Sequence, residues 1–188
     1  MSVDPQGLDG EELLHFALAA MEQGNEAEAM GFLKRAVALG TSDGKPYFLL
    51  AAIHGQLGMH RRAIGELSEA VLRSPDLYAA HFQLGLMHMI VGELDDARDA
   101  WAALDALGPE ESLRLFKQGL EKLMDDDVEN AIATLERGIE ASDDDGLNDD
   151  MRGIIRKAEE TLAAGAQAKE AEGQHVLLAP YRTPLRKP

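Results

Sequence analysis

The chain has 188 residues, with 18 Lys and Arg against 34 Asp and Glu for a formal charge of −16, 45% apolar and 5% aromatic residues, and no cysteine. That length and apolar content suit one ordinary domain or a short repeat array with a buried core, and exclude a multi-domain enzyme or a wholly disordered chain. The acidic charge disfavours nucleic acid and anionic membrane surfaces as partners, and the lack of cysteine excludes disulfides, thiolate catalysis, Cys-ligated zinc and iron–sulfur sites.

Along the chain, Met1 to Glu12 shows neither the basic nor the apolar segment of a secretory signal, and no run approaches the roughly 18 apolar residues that span a bilayer. A cytoplasmic protein without membrane insertion is expected, with residues 1–9 read as a flexible N-terminus. From residue 10 a period of 34 organises the sequence into blocks 10–43, 44–77, 78–111 and 112–143. Small residues recur as Ala17, Ala51, Gly85 and Gly119, and again as Ala29, Ala63, Ala97 and Ala131. A third column holds Ala36, Ala70, Leu104 and Gly138, and a bulky fourth holds Leu33, Leu67, Trp101 and Leu135. Gly24, Gly58, Gly92 and Asp126 form a turn column between them. Abundant Ala, Leu and Glu with few aromatics favour helices. Each block therefore predicts two helices that cross closely at the small residues, with Gly supplying positive φ in the turn. Pro75 and Pro109 stand at the ends of the second and third blocks, where a helix must stop.

These columns resemble the tetratricopeptide repeat: a turn glycine followed five residues later by alanine (Gly24 with Ala29, Gly58 with Ala63, Gly92 with Ala97), with prolines at unit ends. The chain departs from that signature early in the first helix, where Leu13, Tyr47, His81 and Leu115 stand in place of the usual tryptophan. The resemblance implies an all-α solenoid of four helix-turn-helix units and a non-enzymatic role in binding other proteins.

After Gly146, the positions of Met151, Ile154, Ile155, Ala158 and Leu162 predict a one-sided helix over about 147–172 that caps the last unit. Residues 174–188, HVLLAPYRTPLRKP after Gln174, contain three prolines and no acid, and predict an extended basic tail. Its Leu177, Leu178, Tyr181 and Arg182 suit an apolar groove with an acidic rim, so a homo-oligomer held by this tail is one expectation.

No catalytic set is evident. His54, His81 and His88 fall on first-helix positions without HExxH or another metal-binding spacing, and read as packing residues; His15 and His60 read as surface residues. Asp125–Asp127 and Asp143–Asp145 suggest calcium, but placing Gly146 at the loop glycine of an EF-hand puts Ala141 and Arg152 at the first and last ligand positions. Those acids read as helix starts. No phosphate-binding glycine loop exists, so no cofactor or metal is expected.

By the geometry of the resembled family, the first helix of each unit lines a concave groove. The inward columns would be Leu14, Phe48, Phe82 and Phe116; Leu18, Ala52, Leu86 and Leu120; Met21, Gly55, Met89 and Leu123; and Glu22, Gln56, Ile90 and Met124. The expected partner is a protein or peptide with apolar anchors, held by Leu14, Phe48, Phe82, Leu86, Met89, Ile90, Phe116, Leu120 and Met124. A small acidic secretion-type chaperone for an apolar client is the alternative.

Overall fold

Five residues before each buried alanine of the 29, 63, 97 and 131 column, the backbone turns through the left-handed region: φ is 70° at Gly24, 72° at Gly58, 83° at Gly92 and 60° at Asp126. The computed structural model describes residues 7–178, with side chains to 164. Around these four turns lie four helix pairs: α1 (Gly10–Glu22) with α2 (Glu26–Ala38), α3 (Lys45–Gln56) with α4 (His60–Arg73), α5 (Tyr78–Ile90) with α6 (Leu94–Trp101), and α7 (Ser112–Met124) with α8 (Val128–Glu140). A long helix, α9 (Asp145–Leu178), follows. The fold class is all-α, a helical-repeat solenoid, and no strand occurs among the described residues.

The chain divides at Gly108 and Pro109 into two compact units, the first holding α1 to α6 and the second α7 to α9. In the first unit each helix packs on its neighbours in the chain. Its contacts follow the columns: Ala17, Leu33, Leu50 and Ile53 form one cluster, and Tyr47, Ala51, Ala63, Leu67, Ala70, Ala80 and Leu84 the next. Arg73 lies over the Tyr47 ring, 4.4 Å from its centroid, and donates to the Thr41 carbonyl and to Glu69, tying the second pair to the loop before it. In the third pair Gly85 has no alternative, because a Cβ there would stand 2.2 Å from the Trp101 indole nitrogen. Trp101 is fully buried, and its indole N–H donates to the Phe82 carbonyl at 2.9 Å.

The third pair also ends differently. Its second helix passes at Ala102 into a 3-10 stretch running to Ala106, at the point where Leu104 replaces the Ala or Gly of the other pairs. Leu104 is nevertheless fully buried, so the tighter winding keeps the column inside.

In the second unit, Gly119 admits Leu135 and Gly138 admits the Phe116 ring; a Cβ at either would lie within 2.5–2.6 Å of those side chains. Asp144 starts α9, its carboxylate accepting from the Leu147 amide at 3.0 Å. Met151 and Ile155 are buried, Ile154 and Ala158 half-buried and Leu162 exposed, so among the residues with described side chains α9 is covered along its first turns.

Two boundaries differ from those read in the sequence. Asp9 is not part of a loose end: its carboxylate accepts from the Glu11 and Glu12 amides while Glu12 accepts from the Asp9 amide, a reciprocal cap on α1. The last helix does not stop at 172 but continues to Leu178, since Ala163 to Leu178 contains good helix formers and no proline before Pro180. Extended structure therefore does not begin at 174. The side chains of Leu177 and Leu178, and all of Tyr181 and Arg182, lie outside the described residues.

Candidate functional site

The inward columns separate into covered and open positions. Phe82 is 1% exposed and stacks on Trp101, with centroids 6.3 Å apart. Phe116 and Leu120 are fully buried and Leu86 is buried. These four of the nine expected anchors are core, a correction to the groove reading. Phe82 lies against the wide face of Trp101, and the Phe116 ring occupies a hollow left by Gly138. Phe48 has Leu67 and Ala70 at the corresponding places and remains half-buried against the cluster around Tyr47.

In the first unit the open part of the expected set comprises half-buried Leu14, Phe48 and Met89 and exposed Ile90, at 50%. Leu18, from the inward columns though not among the expected anchors, is 44% exposed. In the second unit Met124 is half-buried. A further group of exposed apolar residues lies at the turns: Leu57 and Met59 after α3, and Leu94 at the start of α6. The salt bridge from Arg61 to Glu93 brings these two turns together. Groove geometry alone did not point to them. The sequence signal was apolar residues at turn positions, where the first pair has Gln23 and Asn25 and the fourth has Asp125 and Asp127.

Three first-helix histidines, His54, His81 and His88, are each held by a partner of the same unit. His54 is buried with Nδ1 2.6 Å from Glu66. His81 sits between two carbonyls, Nδ1 3.2 Å from that of Ala100 and Nε2 3.1 Å from that of Pro75, and so bridges α5 to the elements before and after it. His88 Nδ1 is 2.8 Å from Glu93. His15 is exposed beside Phe16. His60, expected at the surface, is half-buried, with its Nδ1 shielded from water. Glu93 accepts from both Arg61 and His88, which holds its carboxyl below the ordinary value of 4.5. Asp150 moves the other way, raised by partial burial and by the neighbouring carboxylates of Asp144 and Asp149.

Solved structures decide the fold. The crystal structure of MamA matches with a TM-score of 0.60 at 24% identity, over 73% of this chain and 80% of that one. A thermophilic TPR protein of Thermus thermophilus, TTC0263, matches with a TM-score of 0.64 at 16% identity, over 92% of this chain and 93% of that one. The chain has the tetratricopeptide-repeat fold. A chain of the APC/C hetero-tetramer Cut9–Hcn1 is similar as well, with a TM-score of 0.67 at 18% identity; 92% of this chain is covered but only 34% of that one. No family model and no curated protein matches the sequence. Among the described residues, no helix of this tetratricopeptide-repeat chain is long and apolar enough to cross a membrane.

Proposed function

We propose that the chain is a non-enzymatic protein-interaction module whose first unit binds an apolar peptide or amphipathic helix of a partner protein. The observation that carries this reading is the exposure of Leu18 and Ile90 on first helices whose opposite faces are fully packed. Leu14, Phe48 and Met89 stand in the neighbouring inward columns, each with part of its surface accessible. A helix face that already fills its core has no packing need for two further large apolar side chains in water, and a partner that covers them gains roughly 25 cal/mol for each Å² buried. The charge of −16 favours a partner segment with Lys or Arg beside its apolar anchors.

Because these anchors are exposed, they separate binding from folding. Leu18→Glu and Ile90→Glu should leave helical content and unfolding midpoint unchanged while removing proteins that wild type captures from lysate, identified by mass spectrometry. Capture that survives both substitutions contradicts the proposal.

A further inference from the structure

The turn between α5 and α6 carries a set of side chains found in no other pair. His88, Glu93 and Asp96 each offer a ligand atom, and these atoms lie within 4.8 Å of one another, the one such group among the described residues. His88 is in the last turn of α5, Glu93 caps α6 and Asp96 is in its first turn. The backbone between them is fixed by the positive φ of Gly92 and by the bond from the Glu93 amide to the His88 carbonyl at 2.9 Å. The three ligands thus start from a tight, packed hairpin and not from a long loop.

The corresponding positions of the other pairs show what is unusual here. In the first pair they are Ala20, Asn25 and Glu28, and the Asn25 amide donates to Glu28 at 2.7 Å. In the fourth they are Lys122, Asp127 and Asn130, and the Asn130 amide donates to Asp127 at 2.8 Å. Both pairs match a donor with an acceptor across the first turn of the second helix. In the second pair they are His54, Met59 and Arg62, and both His54 and Arg62 bond Glu66 outside the set instead. Only the third pair puts two carboxylates at these positions, which cannot bond each other when ionised, and combines them with an imidazole aimed at one of them.

We propose that His88, Glu93 and Asp96 form a binding site for a divalent transition ion of the zinc type. One imidazole nitrogen and two carboxylate oxygens are the donor set that borderline ions take, whereas an all-oxygen set would suit calcium or magnesium. His88 Nδ1 and the Glu93 carboxylate already face each other at 2.8 Å, so an ion replaces the hydrogen they share and Asp96 supplies the third ligand. The Arg61 side chain, 70% exposed, is the counter-charge Glu93 uses in the meantime and is free to swing into water. Three protein ligands leave at least one coordination position open. Exposed Ile90 and Leu94 flank the ligands, so a partner docking there would bring its own side chains within reach of the ion.

The test uses the untagged full-length protein, stripped with chelator and titrated with ZnCl2 by calorimetry and with CoCl2 by visible absorption. One equivalent of each metal should bind, cobalt giving the d–d bands of an ordered nitrogen–oxygen site. His88→Ala and Asp96→Asn should each weaken binding by about tenfold or more. Asp95→Asn, an exposed neighbour outside the set, should not. Circular dichroism checks that each variant is folded. No binding, or binding that His88→Ala and Asp96→Asn leave unchanged, overturns the proposal, the latter by showing that the acidic surface collects metal without this site.

Discussion

The first helices of the first and fourth pairs have nearly the same pattern, yet the same positions end in opposite environments. Leu14 and Leu18 on α1 are half-buried and exposed, while Phe116 and Leu120 on α7, the equivalents 102 residues later, are fully buried. The repeat register fixes which way a side chain leaves its helix; what stands across from it fixes whether that side chain meets water. Phe116 packs against Gly138, whose missing Cβ admits the ring. Phe82 packs against Trp101. Phe48, with Leu67 and Ala70 in those roles, stays partly open.

The largest effect that would sharpen this contrast is in the phenylalanine column. Phe116→Ala should cost about 3–5 kcal/mol, because it empties a closed hollow. Phe48→Ala should cost about 1–2 kcal/mol, since part of that ring is already in water. Urea unfolding followed by circular dichroism compares the two, and equal losses would break the account of Gly138.

The smallest effect concerns the start of α9. Asp150 has a folded pKa above its unfolded value, so the native chain holds that proton more readily and stability falls as pH rises through the raised value. The penalty is complete at neutral pH and absent below the ordinary carboxylate range. Asp150→Asn should therefore stabilise by about 0.3 kcal/mol at neutral pH, a small figure because the side chain is exposed and screened, and the gain should vanish in acid. Melting curves at two pH values read this directly, and a gain that persists in acid would assign the effect to something other than the carboxylate charge.

Most of the fold was legible in the sequence because the constraints repeat. All four members of the columns at 17, 29 and 33 are buried, and the four turn residues all have positive φ. A helix crossing tolerates only small residues at closest approach, and that requirement recurs every 34 positions. The candidate site was less legible because exposure depends on pairs of columns read together. Gly138 and Trp101 were both visible as members of their columns, but their effect on Phe116 and Phe82 follows from matching a hollow or a wide face with the ring opposite. The His88, Glu93 and Asp96 group was missed for a related reason. Its spacing follows no common ligand motif, and the turn at Gly92 is what brings the two helix ends together.

Leu18 and Leu120 occupy one column, so the most direct test places the same charge at both, as Leu18→Glu and Leu120→Glu, and compares their urea unfolding by circular dichroism. The account predicts that Leu18→Glu stays within about 0.5 kcal/mol of wild type, whereas Leu120→Glu loses the cooperative helical signal of the second unit. Comparable losses in both variants would show that the column is uniformly core and that the open face on the first unit does not exist.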